Sequence, residues 1–304
     1  MVTTHPAIVV IGSLAVDRKS FASGTYRCGS GSGGSGTVWG RERHHGGVGR
    51  NAAVNLARLG CRVSFCGLTG PGADAAALEA ELTELGVLLL LRRIANGVGR
   101  FEVFLGPGGA LLSSGIRLPD PAETRHLCDP ALAERIAGAD AVVVEGGLDP
   151  RLLRWVSGQA RRHGTTVCCL PTRLRDLGAR RELLPAFDVL VLNEAEATAI
   201  LGAPRPDATE LAAALTDLGP GTVVVTRGAR GAVLAGPEVV RLPAQPGPCV
   251  DDTGAGDALA SAFIAAAVRG QNPVDALREG LRAARVTINC RNTTCRSLSP
   301  AAVR

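Results

Sequence analysis

The feature that most constrains the fold of this chain is a regular alternation of short apolar runs with longer amphipathic segments. The first run, Ala7–Ile11, ends at Gly12-Ser13, which is typical of a buried strand that enters a turn. Further apolar runs occupy residues 63–66, 141–144, 166–170, 189–192 and 222–226, and helical patterns between them occupy residues 51–59, 75–85, 150–162, 195–201 and 208–218. The alternation predicts one α/β domain over residues 1–304, with a doubly wound, mostly parallel sheet and helices on both faces.

Two segments interrupt the alternation. Residues 18–45 contain the glycine- and serine-rich stretch Gly29–Gly36, and residues 96–118 favour short strands separated by Gly106-Pro107-Gly108-Gly109. Both segments are expected to project from the core as a small β lid. The glycine-serine stretch would be a flexible turn at its tip, because this composition behaves as flexible coil.

The glycine-serine stretch also matches the dinucleotide fingerprint as Gly29-x-Gly31-x-x-Gly34. That motif requires a strand before it and a helix after it, and the sequence favours neither here. A flexible loop is therefore the preferred interpretation. A dinucleotide-dependent oxidoreductase is kept as an alternative.

Composition and charge exclude several classes of protein. No apolar run approaches the roughly 20 residues that a membrane-spanning helix needs, and the N-terminus lacks the pattern of a secretory signal. The net charge is +5, but the arginines are dispersed and aromatic residues make up 3% of the chain, which argues against nucleic-acid binding. We expect a cytoplasmic protein with no membrane association and cysteines that are thiols. For the pairs Cys61/Cys66 and Cys290/Cys295, each five residues apart, a metal site or a disulfide is the alternative.

The motif with the clearest chemistry is Asp251-Asp252-Thr253-Gly254-Ala255-Gly256-Asp257, followed by a nearly uncharged helical pattern over residues 258–268. Glycine permits close approach of the backbone, and a helix N-terminus presents free N–H groups that bind phosphate. Asp257 would then lie beside the transferred phosphoryl group as a general base. The alternative is that Asp252 or Asp257 only caps the helix. A P-loop is excluded because GxxxxGK[ST] is absent.

With this motif and with Gly46-Gly47-Val48-Gly49-Arg50-Asn51 in the N-terminal part, the chain resembles the ribokinase-like (PfkB) carbohydrate kinases over nearly its whole length. The resemblance implies a kinase that transfers the γ-phosphate of ATP to a hydroxyl group. Asp257 would be the catalytic base. Gly254, Ala255 and Gly256 would form the turn that stabilises the charge on the transferred group.

The resemblance also implies a set of substrate ligands: Asp17, Gly46, Gly47, Asn51 and Glu145. From the residues alone, Asp17 could be a turn residue and the glycine pair could be a loop that leads into a helix. Glu145 could be a solvated strand end. His44-His45, just before the glycine pair, is interpreted as a solvated loop pair, with substrate contact as the alternative.

For ATP and metal ions the resemblance implies a second set of residues. Asn193 and Glu196 would organise Mg²⁺ through water, because positions three apart share one face of a helix. The matches for ATP binding are Thr226, Arg227, Gly228 and Asn193, and the matches for a monovalent cation such as K⁺ are Asp251 and Thr253.

The resemblance narrows the class of the acceptor substrate only in part. Gly-Gly-Val-Gly-Arg-Asn most resembles pseudouridine kinases, whereas Asn193-x-x-Glu196 is closer to ribokinase. We predict phosphorylation of a primary, 5′-type hydroxyl of a ribosyl sugar or nucleoside. The alternatives are a kinase for another sugar such as fructose and a non-catalytic nucleoside or nucleotide sensor. Residues 18–45 are richer in glycine and serine than the lid strands of this family usually are, so whether this segment is ordered stays open. Because lid strands of the family can pair between subunits, the resemblance also implies a homodimer through the lid as an expectation.

Overall fold

The computed structural model describes residues 5–23, 37–106, 111–172, 178–203 and 207–304. Its strands form two sheets. The strands are β1 (Ala7–Ile11), β2 (Ala15–Ser23), β3 (Thr37–Gly46), β4 (Arg62–Thr69), β5 (Leu88–Arg93), β6 (Gly99–Leu105), β7 (Leu111–Arg117), β8 (Ala141–Glu145), β9 (Thr166–Leu170), β10 (Val189–Asn193), β11 (Thr222–Thr226), β12 (Ala232–Ala235) and β13 (Val239–Leu242).

The larger sheet has nine strands in the order β13-β12-β11-β10-β9-β8-β1-β4-β5. The strands from β11 to β5 are parallel, whereas β12 and β13 add an antiparallel edge. After β1 the chain fills one side through β4 and β5, and it then returns to the other side of β1 at β8. This reversal leaves a crevice at the carboxyl ends of the strands, where α/β sheets bind their ligands.

Helices cover both faces of the larger sheet, and each face has its own apolar core cluster. The fold class predicted from the sequence is therefore confirmed. The helices are α1 (Val48–Arg58), α2 (Ala73–Glu84), α3 (Pro130–Ala137), α4 (Pro150–His163), α5 (Glu194–Leu201), α6 (Ala208–Thr216), α7 (Ala255–Val268), α8 (Pro273–Thr287) and α9 (Pro300–Val303), with 3₁₀ turns at Pro121–Leu127, Gly178–Ala186 and Gly228–Arg230.

Helix α7 is almost entirely apolar because it lies inside the molecule. Residues 258–266 are all buried, and the helix packs mainly against α8 and α1. Such a helix cannot turn a charged face toward solvent, and its one charged residue, Asp257, lies in its N-terminal turn. The N-terminal turn of α7, which contains Asp257, lies at the crevice beside β1.

The smaller sheet has the order β3-β2-β6-β7 and contains the strands of both segments expected to form a lid. β2 begins at Ala15, three residues before the predicted start, and β3 continues to Gly46. The described parts of residues 18–45 are thus strands of the smaller sheet, as predicted for a β lid. The stretch Gly29–Gly36 with its fingerprint match, and residues 107–110, lie outside the described residues.

The cysteines depart from the expectation at one pair. Cys290 and Cys295 form a disulfide with an S–S distance of 1.99 Å, so the prediction of thiols at these two positions is wrong. Cys61 and Cys66 are buried thiols, and burial raises their pKa values to about 11 and about 12. Among the described residues, no helix combines the length and apolar character required to span a bilayer.

Candidate functional site

Two neighbouring cavities lie at the carboxyl ends of the parallel strands. The first has a volume of about 380 Å³ and extends from the end of β1 to the smaller sheet. The second has a volume of about 310 Å³ and lies beside the ends of β10 and β11. Val48, Thr172 and Asp257 line both cavities. Asp257 is therefore part of the wall between them.

The carboxyl group of Asp257 lies in an environment that favours its neutral form. Withdrawal from bulk water is the main reason that its pKa rises to about 7, and the negative charges of Glu145 and Glu196 add to the rise. A hydrogen bond from Asn51 Nδ2 to Asp257 Oδ2 (2.7 Å) and the charge of Arg50 act in the opposite direction. The result is a carboxylate whose pKa lies in the range useful for proton transfer at neutral pH.

The backbone that precedes Asp257 presents free donors at the same place. Gly254 is the N-cap of α7 with a φ of 84°, and a Cβ at this residue would lie 1.9 Å from the carbonyl oxygen of Thr293. Within the described part of the chain, the N–H groups of Gly256 and Asp257 have no hydrogen-bond acceptor. A helix N-terminus with unpaired N–H groups attracts anions.

The polar end of the first cavity contains four of the five predicted substrate ligands. Asp17 and Asn51 line it, and burial raises the pKa of Asp17. Gly46 does not line the cavity, but it lies next to Asp17, since a Cβ there would be 2.5 Å from Asp17 Oδ2. Gly47 also lines the cavity and has a φ of 95°, and a Cβ there would lie 2.6 Å from the carbonyl oxygen of Ser13.

Glu145 also lines the first cavity, but much of its role there is to join two elements. Its Oε1 accepts hydrogen bonds from Ser13 N (2.7 Å), Ser13 Oγ (2.8 Å) and the backbone N–H of Gly49. The carboxylate thereby joins the turn after β1 to the first turn of α1. Glu145 is buried, so the alternative of a solvated strand end is wrong.

A buried cluster that contacts the side chain of Asn51 was not predicted from the sequence. Arg50 is 2% exposed, and its guanidinium donates to Asn51 Oδ1 (2.9 Å) and to Glu81. His45 Nδ1 donates to Glu81 Oε2 (2.7 Å), so this histidine is not part of a solvated loop. Burial raises the pKa of Glu81, but hydrogen bonds from His45 and Arg50 outweigh it and lower the pKa to about 2. Arg50 belongs to the motif Gly46–Asn51, but its burial was not predicted, because an arginine near the start of a helix normally indicates a solvent-exposed face.

The rest of the first cavity is mostly apolar, although Arg100 and Thr124 also line it. Its wall there comes largely from the smaller sheet and the chain that follows it. These residues are Phe101, Ile116, Leu118, Pro119 and Pro121, together with Leu68 and Leu148. The cavity thus combines a polar end next to Asp257 with a larger apolar end, as expected for a site that binds an amphipathic small molecule.

The second cavity contains the oxygen atoms expected near phosphates and a metal ion. Asn193, Glu196 and Thr226 line it. Asn193 and Glu196 form a capping box at the start of α5, in which each side chain accepts the other's backbone N–H at 2.9 Å. Burial raises the pKa of Glu196.

The side-chain oxygens of Asn193 and Glu196 are suitable ligands for a hydrated Mg²⁺. The described residues include no group of three or more His, Cys, Asp or Glu side chains that could enclose a metal ion. Mg²⁺ usually keeps several waters and binds one or two carboxylates together with substrate phosphates, so such a group is not needed.

Two of the residues predicted to bind ATP or a monovalent cation, Arg227 and Asp251, have ion-pair partners in the structure. Arg227 Nε lies 3.5 Å from Glu194 Oε1, and Arg227 does not line the second cavity. Gly228 starts a 3₁₀ turn just beyond β11. Asp251 accepts from Lys19 Nζ at 3.1 Å and from the backbone N–H of Thr253 at 2.9 Å, so an ammonium group already faces this carboxylate.

Comparison with known proteins shows similarity to kinases. Residues 6–299 match the family described as pfkB family carbohydrate kinase. Ribokinase of Haemophilus influenzae is 25% identical over 258 residues, which cover 80% of this chain and 81% of the relative. Cytidine kinase of Thermococcus kodakarensis is 37% identical over 108 residues, which cover 34% of this chain and 38% of the relative. The structure of Arabidopsis thaliana ribokinase complexed with ribose and ATP shares the fold, with a TM-score of 0.81 at 22% identity, over 99% of this chain and 98% of that one.

The backbone of the motif before Asp257 gives a matched pair of substitutions. Gly254→Ala should lower the free energy of unfolding by about 1–3 kcal/mol, because a Cβ is strained at positive φ and meets the backbone of Thr293. Gly256→Ala should leave it unchanged or raise it by up to about 1 kcal/mol, since a Cβ there meets nothing within 4 Å. Guanidinium chloride unfolding of the two variants measures the difference. Equal stability of both would show that the Gly254 conformation is not required.

Proposed function

This chain belongs to the pfkB family of carbohydrate kinases and is an ATP-dependent sugar or nucleoside kinase, and we propose that it phosphorylates a primary hydroxyl of a ribonucleoside. The observation that carries the proposal is the position of Asp257 between two cavities. The acceptor would bind in the first cavity and the phosphates of ATP in the second. The reacting hydroxyl and the γ-phosphate would then meet beside one carboxylate.

Each step of the proposed transfer has a group in the chain. As the acceptor oxygen bonds to the γ-phosphorus and the bond to the bridging oxygen breaks, the hydroxyl proton moves to the carboxylate of Asp257. The N–H groups of Gly256 and Asp257 stabilise negative charge on the transferred group. Asn193 and Glu196 would hold Mg²⁺ through water, and that ion would supply neutralisation of the phosphate charge.

The shape of the first cavity supports a nucleoside over a free sugar. Asp17 and Asn51 would bind ribosyl hydroxyls at the polar end, close to Asp257. A free pentose carries no apolar group for the other end, whereas a base would cover Phe101, Ile116 and Leu118. The local similarity to a cytidine kinase agrees with this preference. Binding of a monovalent cation, a homodimer through the smaller sheet and a cytoplasmic location stay predictions from the sequence.

A panel of acceptors tests the proposal directly. ADP release would be measured with ribose, fructose and the common ribonucleosides, including pseudouridine, and the product would be analysed for the position of the phosphate. We expect the highest kcat/KM with a nucleoside and phosphate on the 5′-oxygen. A higher value for fructose or ribose would reject the nucleoside proposal. Tight nucleoside binding without ADP release from any acceptor would favour the non-catalytic sensor.

The pKa of Asp257 predicts the pH dependence of the reaction. The base acts only when deprotonated, so activity should be lost as the pH falls through about 7, the pKa of this carboxyl group. Asp257→Asn should lower kcat by about 100- to 10,000-fold, with the KM for ATP little changed. Profiles of kcat from pH 5 to 9 for both proteins provide the measurement. Wild-type turnover in the variant would exclude Asp257 as the base.

Substitution of the aromatic wall tests the preference for a nucleoside. Phe101→Ala should raise the KM for the best nucleoside by about 5- to 150-fold, because base contact with an aromatic ring contributes about 1–3 kcal/mol. The KM for ribose should change less than twofold, since a pentose does not reach this end of the cavity. Steady-state kinetics with both acceptors would decide. An equal rise for both would place Phe101 in general packing instead.

A further inference from the structure

The buried cluster around Arg50 has a geometry that bears on the proposed base. We propose that Arg50 is a positioning residue, whose guanidinium fixes the side-chain amide of Asn51 so that the nitrogen of that amide faces Asp257. The inference rests on the proposed function for its catalytic consequence. Its structural content concerns only the hydrogen bonds that run from Arg50 through Asn51 to Asp257.

The orientation of the Asn51 amide is decided by its two neighbours. Its Oδ1 accepts from Arg50 Nη1 at 2.9 Å, and its Nδ2 donates to Asp257 Oδ2 at 2.7 Å. A flipped amide has nearly the same shape, but its oxygen would meet a carboxylate and its nitrogen would meet a guanidinium that can only donate. The flipped state therefore loses both hydrogen bonds and gains two repulsive contacts.

Thr293 cannot replace Arg50 as the donor to Asn51. The hydroxyl of Thr293 lies 2.6 Å from the carbonyl oxygen of His45 and 3.2 Å from Asn51 Oδ1. A hydroxyl has one proton to donate, and the shorter contact to His45 takes it. Arg50 Nη1 has two protons, which its shorter contacts to Asn51 Oδ1 (2.9 Å) and the carbonyl oxygen of His45 (3.2 Å) take, and Thr293 Oγ1 lies slightly farther away at 3.3 Å.

Arg50 is itself fixed in place from several sides. Glu81 of α2 accepts from its other terminal nitrogen, and the carbonyl oxygen of His45 in β3 accepts from Nη1 at 3.2 Å. The side chain is buried in this position, where an arginine without an anionic partner would be costly. The planar guanidinium can serve the carboxylate of Glu81 and the amide of Asn51 together, which a lysine ammonium cannot do with the same geometry.

The arrangement determines which oxygen of Asp257 is free to take a proton. Oδ2 is occupied by Asn51, so Oδ1 is left for the acceptor hydroxyl. The charged groups that act on Asp257 are Glu145 at the end of β8, Glu196 in α5 and Arg50 in α1. Removing Arg50 would weaken the hydrogen bond from Asn51 and delete the positive charge, and both changes favour the protonated carboxyl group.

Arg50→Met tests this role in the full-length protein. We expect kcat to fall by about 10- to 100-fold, as for a base that is no longer held in its reactive position, with the KM for ATP changed less than twofold. The acid limb of the kcat profile should also move to higher pH, because the pKa of Asp257 rises. Arg50→Lys keeps the positive charge but loses the planar guanidinium. The acid limb of its kcat profile should therefore lie closer to that of wild type, while kcat stays reduced.

Arg58→Met is the matched control. Arg58 lies in the same helix and donates to the carbonyl oxygen of Cys295 at 2.9 Å, but it has no contact with Asn51 or Asp257 among the described residues. Its removal tests for a general loss of packing around α1. We expect at most a change in thermal stability, with the acid limb at its wild-type position.

A ¹³C NMR titration of the aspartate carboxyl groups separates this proposal from the proposed function. The Asp257 signal is assigned by its absence in Asp257→Asn, and its pKa should be higher in Arg50→Met than in wild type. An unchanged pKa and an unchanged acid limb in Arg50→Met would overturn the positioning role, even if kcat fell. If Arg50→Met does not fold, wild-type kcat in Arg50→Lys would overturn it. A raised pKa in a protein that phosphorylates no acceptor would instead reject the kinase mechanism and leave the positioning role standing.

Discussion

The site depends on one carboxylate that the fold holds away from bulk water between two cavities. Asp257 occupies the first turn of α7, and that helix is buried along nearly its whole length. Asp257 keeps part of its surface exposed, but its carboxylate is withdrawn from bulk water, and such a group is tolerated only where neighbours compensate for lost hydration. Here the compensation is partial: Asn51 donates to it, while Glu145 and Glu196 oppose its ionisation. The resulting pKa of about 7 lets one group both accept and release a proton near neutral pH.

The two sheets divide the work around this carboxylate. The larger sheet brings the ends of its parallel strands together, which places Glu145, Asn193 and Thr226 around the crevice. The smaller sheet supplies the apolar wall through Phe101 and Ile116. In the proposed function, the larger sheet would bind the phosphates of ATP, and the smaller sheet, whose strands lie between β1 and β8 in the chain, would select the acceptor. Such a separation lets one core serve different acceptors.

Arg50 connects these parts. Its guanidinium contacts a carboxylate of α2, a carbonyl oxygen of β3 and the amide that faces Asp257. Arg50, which is 2% exposed, therefore connects the smaller sheet to the proposed base. A change in the position of β3 would act on Asn51 through this side chain, because a buried hydrogen-bond network resists partial rearrangement.

The sequence by itself determined the fold class, the family and the motif around Asp257. Apolar periodicity and glycine spacing are local properties, and six of the nine strands of the larger sheet follow the predicted runs with boundaries shifted by a few residues at most. No predicted run corresponds to β5, β12 or β13. Only the tertiary structure decided the partners of Arg50 and His45, the pairing of Cys290 with Cys295, and the burial of Glu145. Except for the disulfide, whose cysteines are five positions apart, these features depend on residues that meet in space from separate elements, some of them more than 200 positions apart. No local pattern records such a meeting, because it arises only when the helices pack on the sheet.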